Sequence, residues 1–170
     1  MGIVRPGEDE VEALVRRDYR RLVRAIALSC GSVQEAEDAM QEAVSKAWTR
    51  ARSGYAFDHL EGWIVTVALN HTRRSWLRHG SRQDLRSALR ATSGDVAESD
   101  RGAMLMDLSS AVDRLPRRQR EVVVLHYYLG YPIADIARLL EIAPGSVKNA
   151  LFKARGGLAR ALGDQEEVVE

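Results

Sequence analysis

Apolar residues return every three to four positions along almost the whole chain, and no segment alternates apolar with polar residues as a half-buried strand does. That periodicity restricts the chain to an all-α fold. The run Val122-Val123-Val124 is too short to oppose it and sits within a helical pattern. A first helix is expected over 9–29, stopped by Gly31. A second opens at Ser32, with Glu35 completing a Ser-x-x-Glu capping box, and runs to 52 before Gly54. A third opens at Asp58, with Glu61 in the same role, and reaches 79, where Gly80 ends it. From 80 to 103 the apolar pattern thins and Ser, Gly and opposing charges collect, Arg82, Arg86, Arg90 and Arg101 against Asp84, Asp95, Glu98 and Asp100. This stretch reads as a linker, with a short helix over 83–90. Helices resume at 104–114, at 116–129 with Pro116 in the first turn and Gly130 as the stop, at 132–140, and at 146–162 starting from Ser146. The last two, joined by a turn over 141–145, have the spacing of a helix-turn-helix unit. The expected organisation is a three-helix bundle over 1–80, a flexible linker over 81–103, a helix-turn-helix module over 104–163 and an acidic tail over 164–170.

A chain of 170 residues can hold two such modules, each with its own core. Its single cysteine, Cys30, rules out an internal disulfide and a cysteine-based metal site, and no apolar run approaches the roughly 18 residues that cross a bilayer. The first 15 residues turn acidic and lack the apolar stretch of a signal peptide, so the expected location is cytoplasmic. A net charge of +1 gives no global attraction to nucleic acid, but that balance hides an asymmetry. Residues 107–162 carry nine Lys or Arg against five Asp or Glu, and Asp164, Glu166, Glu167 and Glu170 follow in the tail. His59, His71, His79 and His126 form neither a His-Glu-x-x-His pattern nor a set with a cysteine pair, and no glycine-rich phosphate loop or Gly-x-Ser-x-Gly elbow occurs. No enzyme activity, catalytic residue, cofactor or metal is expected. The doublet Gly156-Gly157 inside the last helix suits close packing better than phosphate binding.

Three helix faces carry the functional signal. On the last helix Val147, Leu151, Ala154, Leu158 and Leu162 form a core stripe, and Lys148, Asn149, Phe152 and Lys153 lie away from it, with Arg155 and Arg160 further on. A basic face with an amide and an outward aromatic suits the DNA major groove, where Asn reads adenine, Lys reads guanine or phosphate, and Phe meets a thymine methyl. On the second helix Ala36, Ala39, Met40, Ala43, Val44, Ala47 and Trp48 make the core arc, while Glu37, Asp38, Gln41, Glu42 and Ser45 make an acidic face suited to a basic protein surface. The third helix is apolar on two sides, leaving a stripe of Thr66, Asn70 and Arg73, with Arg74 at its edge. Trp63, Asn70, His71, Arg73, Arg74 and Trp76 form the basic and aromatic mixture that stacks unpaired bases and holds phosphates. For each face a merely solvated surface is the competing explanation, and Trp76 fits the core.

The chain resembles an extracytoplasmic-function sigma factor of bacterial RNA polymerase. Three segments carry the likeness, in that family's order and spacing: AEDAMQEAVSKAW (36–48), GWIVTVALNHTRRSWLR (62–78) and LPRRQREVVVLHYYLGYPIADIARLLEIAPGSVKNALFKARGGL (115–158). The resemblance implies a promoter-specificity subunit that binds core polymerase, recognises two spaced promoter elements and helps open the duplex. It places Asp38, Gln41 and Glu42 on the surface that docks on the clamp helices of the β′ subunit, and Glu37 on the same acidic face is a further candidate for core binding. It places Asn70, Arg73 and Arg74 at the minus-ten element, where Trp63 of the same helix is a further candidate for DNA binding, and residues 54–59 in the loop that takes a flipped base. Lys148, Asn149, Phe152 and Lys153 fall at the minus-thirty-five element, with Ser146 at the start of that helix as a further DNA-binding candidate. The implied partners are core RNA polymerase through β′ and β, promoter DNA and, commonly, an anti-sigma factor, with no membrane insertion. The linker would thread the polymerase cleft toward the RNA exit path.

Some positions depart from the family pattern. Tyr131-Pro132 replaces the usual Ser or Thr cap, Asp135 stands where Glu is common, and Asn149-Ala150 replaces a frequent Ser-Arg pair, which removes one phosphate or base contact. With no autoinhibitory N-terminal segment and no extra C-terminal domain in view, control is expected from a separate protein or from expression. A self-sufficient helix-turn-helix regulator, its N-terminal bundle sensing or dimerising, is the alternative. It has no need of the acidic face or of the Asn-Arg-Arg stripe. A helical adaptor without a DNA role stands further off, because of the basic recognition face.

Overall fold

The structure, a computed structural model, describes residues 6–79 and 108–163. Its elements are α1 (Pro6–Cys30), α2 (Val33–Arg52), α3 (Leu60–His79), α4 (Arg117–Val123) running into a π turn (Val124–Tyr128), α5 (Ile133–Leu140) and α6 (Pro144–Gly163), and residues 108–113 are helical as well. No strand occurs among the described residues, as the periodicity requires. The stop at Gly80, the linker over 81–103 with its helix over 83–90, the first part of the helix over 104–114 and the tail over 164–170 lie outside the described residues.

Local chemistry sets most helix ends. The Ser32 hydroxyl oxygen accepts the Glu35 amide at 3.2 Å and caps α2, but the Glu35 carboxylate takes the Ser75 hydroxyl at 2.9 Å, so only half of the capping box forms. The expected start of α3 needs correction. The helix begins at Leu60, with the Trp63 amide bonded to the His59 carbonyl at 3.0 Å, so His59 and not Asp58 holds the cap position. Glu61 is drawn away from a capping role, because its carboxylate accepts Arg21 Nη2 and the Tyr131 hydroxyl, each at 2.6 Å, and these charge-assisted bonds outweigh a local cap. Pro116 and Pro132 stand just outside their helices as caps, and Pro144 starts α6 two residues ahead of Ser146.

Gly31, Gly54 and Gly130 end helices with positive φ. At Gly31 (φ 84°) a Cβ would also lie 3.3 Å from Arg120 Nη1 and 3.4 Å from Asp113 Oδ1, so the glycine both reverses the chain and admits an ion pair from the C-terminal module. The turn between α5 and α6 places a non-glycine residue, Glu141, at φ 54°, a conformation that costs an L-residue about 1 kcal/mol. The single helix expected over 116–129 is interrupted. Its second half widens at Val124, whose carbonyl accepts the Leu129 amide at 3.0 Å across a π turn.

The core is continuous. Leu22 and Ile26 of α1, Met40 of α2 and Ile64 and Leu69 of α3 join the same buried cluster as Leu125, Ile136, Val147 and Leu151. In that cluster α1 packs on α4 and the π turn, and α3 packs on α5, so the two modules close onto each other. Gly157 fits the close-packing reading, since a Cβ there would meet Leu115 Cδ2 at 3.0 Å, whereas Gly156 has open space. Two expected core residues are exposed: Trp76 at 42 % and Leu162 at 38 %. Residues 73–78 around Trp76 and 159–163 around Leu162 are exposed or half-buried, beyond the reach of the packed cluster. Cys30 is buried, and burial raises its thiol to about 11. No described helix is long and apolar enough to cross a membrane.

Candidate nucleic-acid and protein interfaces

On α2 the alanines and Met40 (Ala36, Ala39, Met40, Ala43) are fully buried, which turns Asp38, Gln41 and Glu42 to solvent with Glu37 half-buried beside them. The sequence-predicted acidic residues therefore share one face. Lys46 Nζ lies 2.9 Å from Glu42 Oε1, and this hydrogen bond together with the lysine charge holds the Glu42 carboxyl below its ordinary value. Exposed pairs of this kind add little to fold stability, so these carboxylates can exchange their partners for an external guanidinium.

The α3 stripe is built differently. Trp63 is half-buried, with the Arg50 guanidinium 5.2 Å from its ring centroid and 5.1 Å from that of Tyr55. Phe57 meets Tyr55 and Trp63 edge-on at 5.0 and 5.2 Å, so the loop over 53–59 closes on α3 through an aromatic cluster around one cation. This loop is expected only from the family resemblance, and Arg50 is not among the residues expected at the site. Two aromatic residues alternating in a loop just after a basic helix end were the available signal. Below the cluster, Arg73 Nη1 donates to Asn70 Oδ1 at 3.2 Å and Arg73 Nε to Glu121 Oε1 at 3.3 Å, while Arg74 stands in solvent. Glu121 was not foreseen. It is 2 % exposed and also accepts Arg117 Nε and Arg118 Nη1, each at 3.1 Å, and Arg117 Nη2 reaches the buried Thr72 hydroxyl at 2.8 Å. A groove of about 630 Å³ separates the start of α3 from α1 and α5, with Trp63, Thr66, Tyr131 and Arg138 on its walls.

On α6, Val147, Ala150, Leu151 and Ala154 are buried, and Lys148, Asn149, Phe152 and Lys153 are exposed on the opposite side, Phe152 at 75 %. Ser146 is exposed in the first turn, its amide bonded to the Ala143 carbonyl at 2.9 Å, so it is part of this face and not the start of the helix. The face thus occupies the N-terminal half of the second helix of a helix-turn-helix, the part that enters a major groove. Arg155 extends it: Nε donates to the Tyr127 hydroxyl at 2.6 Å, with the guanidinium 5.8 Å from the ring. Nothing in the sequence pairs residues 28 apart, and the π turn that presents Tyr127 carries no sequence mark.

The same division of the chain appears in known proteins. Residues 14–82 match the Sigma-70 region 2 family and residues 105–156 match Sigma-70 region 4. The ECF RNA polymerase sigma factor SigM of Mycobacterium tuberculosis is 33 % identical over 161 residues, covering 89 % of this chain and 76 % of that protein. BldN of Streptomyces coelicolor, another such factor, is 31 % identical over 83 % of this chain and 56 % of its own. In structure, the sigma factor RpoE of Bartonella quintana, solved with the anti-sigma factor NepR, superposes with a TM-score of 0.65 at 24 % identity over 89 % of this chain and 98 % of that one. CnrH, solved with the cytosolic domain of CnrY, gives 0.67 at 22 % identity over 94 % and 91 %. At these identities the structures establish the all-helical fold. Paired regions 2 and 4 define an RNA polymerase sigma factor. The chain belongs to the extracytoplasmic-function family of these factors. A self-sufficient regulator is not favoured, because region 2 matches most of the bundle that such a regulator would use for sensing.

Proposed function

We propose that the three faces divide the work of promoter recognition. Glu37, Asp38, Gln41 and Glu42 dock on a basic surface of core RNA polymerase, in the β′ subunit. Trp63, Asn70, Arg73 and Arg74 take the melted minus-ten strand, and Ser146, Lys148, Asn149, Phe152 and Lys153 read the minus-thirty-five duplex. The units are 1–80 and 104–163, joined by 81–103 and followed by the tail over 164–170. The protein works in the cytoplasm, contributes no catalytic chemistry of its own, and is a candidate for control by an anti-sigma factor, as its structural neighbours are solved with NepR and CnrY. One observation carries this reading: the acidic face of α2 and the basic face of α6 each stand exposed opposite a buried stripe, and the half-buried stripe of α3 is basic and aromatic, so the chemistry suits a protein on the first and nucleic acid on the other two.

Run-off transcription with reconstituted core polymerase, on promoters selected from a genomic pool, tests the whole assignment. Asp38→Ala with Glu42→Ala is expected to weaken core binding about tenfold with an unchanged melting temperature, because interface charges matter more than surface pairs. Co-elution with core at wild-type affinity contradicts the docking face. In selections of randomised upstream elements by holoenzyme, Asn149→Ala is expected to relax preference at one base pair by about 1–3 kcal/mol, and Phe152→Ala to relax it beside a thymine. Identical motifs from wild type and both variants remove these residues from the recognition surface.

A further inference from the structure

Two residues of α6 continue its exposed face past those assigned to base reading, and neither is buried in the fold. Arg155 follows Phe152 by three positions and Lys148 by seven, and Gly156 follows Phe152 by four and Asn149 by seven, so all of them share one side of the helix. A Cβ at Gly157 would meet Leu115 Cδ2 at 3.0 Å, which accounts for that glycine, but a Cβ at Gly156 would meet nothing within 4 Å. Glycine weakens the interior of a helix, so a bare position with open space around it points to something outside the chain. We propose that Arg155, held in place by Tyr127 of the π turn, clamps one backbone phosphate of the upstream duplex, and that the bare surface at Gly156 lets the sugar-phosphate strand come close. The inference rests on the assignment of α6 to the upstream element and adds to it a contact that positions the helix without reading a base.

The pair is arranged to leave the right donors free. Arg155 Nε donates to the Tyr127 hydroxyl oxygen at 2.6 Å, with the guanidinium 5.8 Å from the ring centroid. With Nε engaged, the edge formed by Nη1 and Nη2 can take two oxygens of one phosphate. The tyrosine hydroxyl, having accepted Nε–H, still carries its own proton and can donate it to the same phosphate. Among the described residues the side-chain partner of Arg155 is this neutral hydroxyl, so no carboxylate has to be displaced when a phosphate arrives. Tyr127 is itself held. Its ring meets His126 edge-on at 4.8 Å, and His126 Nδ1 lies 3.0 Å from the Tyr131 carbonyl oxygen. Tyr127 is therefore a positioning residue, since an arginine ordered in advance loses less freedom when it binds. The widened turn at Val124–Tyr128 brings this aromatic shelf beside α6, a use that fits the frequent placing of π turns at functional sites.

The test uses holoenzyme reconstituted with the full chain, and duplex promoters carrying its selected upstream element in which single phosphates are replaced by uncharged methylphosphonates. Wild type is expected to lose about tenfold in affinity at the clamped phosphate. Arg155→Ala, about tenfold weaker on every upstream sequence, is expected to lose less than about twofold there, with a salt slope smaller by about one. Tyr127→Phe keeps the ring and the arginine charge but removes the hydroxyl. It is expected to bind about threefold more weakly, with the wild-type salt slope and a smaller loss at that same phosphate, a pattern that lost packing alone would not give. Gly156→Leu is expected to weaken all upstream sequences at least about tenfold with an unchanged or raised melting temperature, because it favours the helix and blocks the strand. If every methylphosphonate costs Arg155→Ala and wild type alike, the clamp is overturned, and Tyr127→Phe decides in the same way should Arg155→Ala fail to fold. Wild-type affinity in Gly156→Leu overturns the close approach. Motifs selected by Asn149→Ala and Phe152→Ala separate the two layers. A relaxed motif beside an unchanged phosphate profile removes the clamp alone, and a wild-type motif in both means that the assignment of α6 to base reading has failed, whatever the phosphate profile.

Discussion

Replacing Arg73 and Arg74 together with Ala is expected to lower the rate of promoter opening at least about 100-fold, because the two charge-assisted contacts proposed to the melted strand disappear and each contributes roughly 1.5–3 kcal/mol. Core binding and selection of the upstream element should stay within about twofold of wild type, since the surfaces proposed for them lie on α2 and α6. The fold should survive. Arg74 is solvent-exposed, and Glu121 retains Arg117 and Arg118 when Arg73 is removed. Permanganate reactivity of thymines around the start site reads opening directly, and a wild-type signal at saturating holoenzyme would contradict the assignment.

The second large effect is on stability. Ile64 of α3 is fully buried in the cluster shared by both modules, and Ile64→Ala is expected to cost about 2–5 kcal/mol, a large fraction of a typical domain's stability. Because that cluster runs from α1 through α3 to α5 and α6, the loss should lower one cooperative transition followed in urea by both Trp fluorescence and far-ultraviolet dichroism. Two separated transitions, with only the first shifted, would mean that the modules melt independently and that their shared core is weak. A change below about 1 kcal/mol would place Ile64 in a site able to collapse around the smaller side chain.

Legibility in the sequence followed the range of the interactions involved. The period of apolar residues and the glycines at 31, 54 and 130 act within a few residues of themselves, so helix order and three of the helix stops were readable, as was the Ser32 cap. Exposure of Asp38, Gln41 and Glu42 and of Lys148, Asn149, Phe152 and Lys153 followed from the same period, because a buried stripe dictates what faces outward. The misreadings have the opposite character. Asp58 and Glu61 satisfy a local capping rule, yet Glu61 is taken by Arg21 and by Tyr131, 40 and 70 residues away. Trp76 and Leu162 continue their helical stripes past the point where another element covers them.

What the sequence by itself determined is an all-α chain with an acidic face, a basic and aromatic stripe and a recognition helix, in the order of a sigma factor. Each of these is a property of one helix and its own periodicity. The tertiary structure alone decided which surfaces the chain turns on itself. The Arg73–Glu121 bond spans 48 residues, and the aromatic cage on Arg50 and the Arg155–Tyr127 pair depend on a loop path and a π turn. Charges of opposite sign are plentiful along the chain. Which of them meet is settled by how the helices pack, because an ion pair gains energy only where burial and close approach lower the dielectric between its members.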